Sequence, residues 1–146
     1  MPYIKEKDRD RFSNIVISVN EIKLQTPREL TLLIGLFIKF YLGETESIYI
    51  GIFGPIIDLL KLTSIENRGQ LNYLITKTIK SYIDWRGEKY DHYDDAINVL
   101  ENIKLDLRPS ARDLIAGTLM CAQLELYLRK TVIYEQKKCA ENGDVW

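Results

Sequence analysis

The sequence predicts an all-α fold, a single-domain bundle of about five helices with a long C-terminal helix. Three observations predict it. Five segments place apolar residues at the i, i+3, i+4 intervals of a helix face. Thr26-Pro27, Gly87 and Pro109-Ser110 punctuate those segments as helix boundaries do. The chain is 146 residues long, with only 8 Gly and 4 Pro, which leaves no disordered or low-complexity tract and suits one domain over residues 1–146. A domain of that size buries roughly two thirds of its unfolded surface.

Each element follows from its residues. Phe12, Ile15, Val16, Val19 and Ile22 form one stripe, with Arg9, Arg11, Asn14 and Ser18 pointing elsewhere. Thr26 is the expected N-cap of the second helix, with Pro27 at its first position and Glu29 three residues after the cap. That helix is apolar nearly all round, so its neighbours should wrap it. Ser47 to Phe53 could be a short extended stretch and is left open, and a helix is favoured from Pro55 to Leu62 with Gly54 as its cap. Leu71, Leu74, Ile75, Thr78, Ile79, Tyr82 and Ile83 make the clearest amphipathic face, with Asn72, Tyr73, Thr76, Lys77 and Lys80 on or near the opposite side. Gly87 should stop it. A fourth helix carries Tyr93, Ala96, Ile97, Leu100 and Leu107, and Pro109 should close it. Ser110 is the expected cap of the last helix, Ala111 to about Glu141. Its broad stripe includes Leu114, Ile115, Leu119, Cys121, Leu124 and Leu128, wide enough to meet two neighbours. Residues 99–107 and 118–126 share a Leu, a Leu, an acid and a Leu at equal spacing, as two helices packed side by side would.

Charge and composition exclude several functions. A formal net charge of -1 gives no global field for nucleic acid. Cys121 and Cys139 belong to no C-x-x-C and His92 is the sole histidine, so no structural zinc site is expected. Two thiols without a framework suit a reducing cytoplasm, the expected location. The opening MPYIKEKDRDRF is charged where the apolar part of a secretory signal would lie. Leu30 to Leu42 is about a dozen residues long and carries Lys39, short of the ~20 a membrane span needs, so no membrane partner is expected.

Two acidic groups are the candidates for chemistry. Asp91, Asp94 and Asp95, beside Glu88 and His92, are candidate ligands for a hard divalent cation, because carboxylates on successive turns can share one. The preferred reading is that acids occupy a first helical turn, where the macrodipole favours them. Glu141 and Asp144 form an E-x-x-D pair that resembles one motif of the all-α nucleotide pyrophosphohydrolases of the MazG and dimeric dUTPase type. That resemblance implies Mg²⁺ held against a triphosphate, with Glu125, Glu135, Glu141 and Asp144 as the weak catalytic candidates. No E-x-x-E accompanies them, and Gly143 interrupts the helix that would have to continue. Otherwise no cofactor is expected. Arg129, Lys137 and Lys138, with nearby tyrosines, are the candidates for contacts to nucleic acid.

Three stretches together resemble a family of small uncharacterised proteins of phage and prokaryotic genomes. They are MPYI with DRDRF at the start, GQLNYLITKTIKSYI in the middle and CAQLELYLRKTVIYEQKKCAENGDVW at the end. The positions that carry the likeness include Asn72, Tyr73, Thr76, Tyr127 and Tyr134, then Asn142, Gly143, Asp144 and Val145. Trp146 replaces the family's terminal tyrosine, Ile133 its proline and Met120 an acid, and residues 30–62 with much of the fourth helix look like additions to a smaller core. The resemblance implies an all-α fold and no particular activity. The expected function is therefore a non-catalytic helical module for protein contacts, as a homo-oligomer. The Mg²⁺-dependent phosphohydrolase is the first alternative, and nucleic-acid binding the second. Gly143 is expected to turn the chain so that Val145 and Trp146 fold back onto a helix face or a partner.

Overall fold

Every regular element among the described residues is helical. The computed structural model describes residues 4–46, 48, 50–87 and 89–143, with the side chains of Tyr90, Thr131 and Tyr134 outside that description. In order they are α1 (Glu6–Arg11), α2 (Ser13–Ile22), α3 (Pro27–Leu42), α4 (Gly54–Leu62), α5 (Arg68–Arg86), α6 (Tyr90–Asp106) and α7. The last begins as Pro109–Leu126, passes through a π-helical segment, Tyr127–Thr131, and resumes as Val132–Asn142. It runs 34 residues as one rod.

Seven helices thus stand where about five were expected. α1 escaped because it buries nothing: all six of its residues are polar or charged, so it has no hydrophobic period to read. It is held at its C-terminal end. Arg11 pairs with Glu66 at 3.0 Å and donates to the Ser64 carbonyl at 2.9 Å, while the following Phe12 is fully buried. α4 is the helix favoured from Pro55, but Gly54 is its first residue and not its cap. A 3₁₀ turn, Gly51–Phe53, leads into it.

α3 starts as its sequence requires. The Thr26 hydroxyl accepts from the Glu29 amide at 3.2 Å, and the Glu29 carboxylate accepts from the Gln25 and Thr26 amides at 2.7 and 3.1 Å. Gly43, at φ +74°, ends the helix in the left-handed region. From Glu29 to Leu42 no residue is exposed; α3 packs on α5 and α6, and its half-buried side, including Thr31, Gly35 and Lys39, lines a surface groove.

α5 departs from the two-faced helix expected of it. Its apolar stripe is buried, but so are Gln70, Asn72 and Ser81, and Tyr73, Thr76 and Lys77 are half-buried. The cause is position: α2, α3, α6 and α7 all pack against it. Its polar side chains find local partners. Asn67 caps the helix by accepting from the Gln70 amide at 2.9 Å, and the Gln70 side-chain oxygen accepts from the Glu66 amide at 2.7 Å. Gly87 stops it at φ +100°, its amide donating to the Ile83 carbonyl at 2.8 Å.

Pro109 does not close α6; it opens α7. The proline fixes Arg108 in an extended conformation and then occupies the first helical position, where its missing amide costs nothing. Ser110 accordingly lies inside the helix and accepts from the Arg108 side chain at 3.1 Å. α6 and α7 pack side by side, and two of the four residue pairs matched by the spacing of 99–107 and 118–126 share their burial, whereas Asp106 with Glu125 and Leu107 with Leu126 do not. Leu100 and Leu119 are fully buried, while Leu105 and Leu124 are exposed. One hydrophobic cluster runs from Phe12 to Leu126. No helix among the described residues is long and apolar enough to cross a membrane.

Candidate functional site

The broad apolar stripe of α7 is only half used. Ile115, Leu119, Ala122 and Leu126 enter the core. Leu114, Met120, Leu124, Leu128 and Ile133 each leave about half or more of their surface to solvent, and Tyr127 is exposed beside them. Leu114, Gly117, Cys121, Leu124 and Leu128 alternate at intervals of three and four, all of them exposed. This is the seam that a helix presents to another helix. The π segment adds one residue to a turn and sets the following helix back by about 100°. Counted that way, Ile133 falls on the side of Leu114 and Leu128. Beyond it, Glu135 to Gly143 are exposed throughout, so the end of α7 projects from the bundle.

The acidic candidates on α7 do not meet. Glu125, Glu135 and Glu141 lie ten and six residues apart on one rod, roughly 15 and 9 Å along the axis. Glu125 is paired with Arg129, and Glu141 with Lys138 at 3.3 Å, while Glu135 is exposed. Asp144 lies outside the described residues. On α6, which begins at Tyr90, Asp91 lies in the first turn, whereas Asp94 and Asp95 lie beyond it. Asp94 accepts from Asn98, and Asp95 accepts from the buried Tyr82 hydroxyl at 3.3 Å. His92 is tied to the Gly87 carbonyl at 2.7 Å. No group of three or more His, Cys, Asp or Glu that could hold a metal ion forms among the described residues.

The polar residues of the GQLNYLIT stretch are gathered at α5. Thr76 donates to the Asn72 side-chain oxygen at 3.2 Å. Tyr73 and Thr76 line a groove of about 450 Å³ between α5 and α7, with Arg9 of α1 at its border. Burial pushes the Tyr73 phenol above its ordinary pKa, with Arg9 opposing and Asp10 reinforcing that shift. Sequence reading missed this groove, because Arg9, Lys77 and Lys130 are far apart in the chain and nothing along it announces that they share a surface. Tyr127 belongs to the π segment and Tyr134 to the last part of α7. Gly143 stops that helix at φ +84°, its amide donating to the Cys139 carbonyl at 2.8 Å. The expected return of Val145 and Trp146 lies outside the described residues, which end at Gly143.

These features describe an all-helical protein with an open helix face and a separate groove. The chain belongs to the family described as "Domain of unknown function (DUF6899)", whose model matches residues 1–113. The match takes in Arg9, Asn72, Tyr73, Thr76 and Lys77 and ends before Leu114, where the exposed seam of α7 begins. No curated protein and no solved structure matches the chain.

Proposed function

We propose that this protein is a non-catalytic helical interaction module that self-associates through the exposed face of α7. The supporting observation is the uncovered seam from Leu114 to Leu128, extended by Ile133. An apolar stripe on the outside of a helix costs solubility unless another surface covers it. A second copy supplies a matching stripe, since an isologous contact uses the same patch on both subunits. Gly117 lets two backbones approach closely, and the heptad-like spacing gives the register of a helix pair. Cys121, in the middle of the seam, and Cys139 are both exposed and make no disulfide with each other. Both suit a reducing cytoplasm.

Light scattering tests this reading. The intact chain should give a multiple of 17.1 kDa at micromolar concentration. Leu124→Asp with Leu128→Asp should give the mass of one chain, with helicity unchanged. A monomeric mass for the intact chain at the same concentration overturns it.

A further inference from the structure

We infer that the groove between α5 and α7 binds a nucleotide, that is, an organic phosphate with a planar aromatic body. The site is distinct from the α7 seam: Ala122, Leu126 and Arg129 face it, while Leu124 and Leu128 face outward. Its volume, about 450 Å³, lies within the range of small-molecule sites. Its lining carries five cationic side chains against two carboxylates, in a chain whose overall charge is -1. The positive charge is therefore concentrated here.

Both carboxylates are already answered from their own helices. Asp84 holds Lys80 at 2.5 Å and Glu125 holds Arg129. Arg9 and Lys77 make no ion pair among the described residues. Both border the groove that Tyr73 lines: the Lys77 ammonium lies 5.7 Å from the Tyr73 ring centre, and Arg9 lines the groove with them. Ile79, Ile83 and Leu126 provide an apolar floor beneath them.

This combination selects a ligand class. A simple anion leaves the apolar floor and the tyrosine unused, and an uncharged aromatic leaves Arg9 and Lys77 without an anion. A nucleotide satisfies both. Its base stacks on Tyr73 and covers the floor, while its phosphates take the charge-assisted hydrogen bonds of Arg9 and Lys77. Tyr73 and Lys77 are separated by a single turn, so the two ends of one small ligand reach both.

Calorimetric titration of the full chain with AMP, ATP, adenosine, pyrophosphate and a mixed-sequence oligonucleotide tests the inference. AMP and ATP should bind one per chain. Arg9→Gln and Lys77→Gln should each weaken that binding at least tenfold, Lys77→Arg should restore most of it, and Lys61→Gln, at an exposed position of α4, should change nothing. The inference is overturned if AMP and ATP fail to bind at millimolar concentration, or bind the Gln variants as they bind the intact chain. Pyrophosphate or adenosine binding as tightly as ATP would reduce the groove to a plain anion or apolar site and likewise overturn it. Tighter binding of the oligonucleotide, growing with its length, would assign the surface to nucleic acid instead.

Discussion

Gln123 of α7 reaches across to Glu101 of α6, donating to its carboxylate at 3.1 Å and to the Ile97 carbonyl at 3.2 Å. Lys104 completes the cluster at 2.8 Å from Glu101. Lys104 first, and Gln123 second, hold the Glu101 carboxyl below its ordinary pKa. A carboxyl depressed in the folded state adds stability above its unfolded pKa, about 4.3, and loses it as pH falls through the folded value. Glu101→Gln should therefore lower the melting temperature at neutral pH and flatten its fall below about pH 4. Melts between pH 3 and 7 decide this, and an unchanged acid limb would sink it.

Tyr82 gives the opposite pH response. Its side chain is fully buried, with its hydroxyl on Asp95 of α6 and its ring in a T-shaped arrangement with that of His92. Burial raises the phenol pKa, the Asp95 charge raises it further, and Arg86 opposes both. A raised pKa favours the protonated form, so the contribution is complete below about pH 10 and disappears as pH rises through the folded value. Tyr82→Phe should cost about 1 kcal/mol at neutral pH through the lost hydrogen bond. It should also remove the part of any stability loss above about pH 10 that comes from ionising this phenol. Denaturant titrations at pH 7 and above pH 10 measure the two effects separately.

How much of this was legible depends on what each segment declares locally. The start of α3 was readable because Thr26, Pro27 and Glu29 carry their partners within four residues. The apolar face of α5 was readable for the same reason. Its other face was not, because its cover is tertiary: Lys77, for one, shares a groove with α7, about fifty residues downstream. α1 has no period at all. The stripe on α7 showed which residues are apolar, yet periodicity cannot say whether the same chain covers them. The groove needed α1, α5 and α7 together, and only the packed structure brings those three surfaces into one place.

The cap on α3 offers a local test. Thr26 and Glu29 satisfy three amides between them, those of Gln25, Thr26 and Glu29. Thr26→Ala should cost about 1 kcal/mol in urea unfolding, whereas Thr26→Ser should cost little. Equal losses for the two would show that the hydroxyl is not what matters there.

The core and the α7 seam respond differently to the same chemistry. Leu33 is fully buried on α3, while Leu128 is about half exposed on α7. Leu33→Ala should destabilise the chain by about 2–5 kcal/mol, since it removes buried methyl groups and leaves a cavity. Leu128→Ala, measured at a dilution where the chain is monomeric, should shift stability by no more than about 0.5 kcal/mol. At high concentration the order of importance changes. Leu128→Ala should then lower the melting temperature relative to the intact chain, because a subunit contact stabilises by mass action and is lost with it. The decisive readout is concentration dependence: the intact protein's melt should rise with concentration, and that of Leu128→Ala should rise less. Parallel concentration dependence in the two would mean that the exposed seam of α7 takes no part in association.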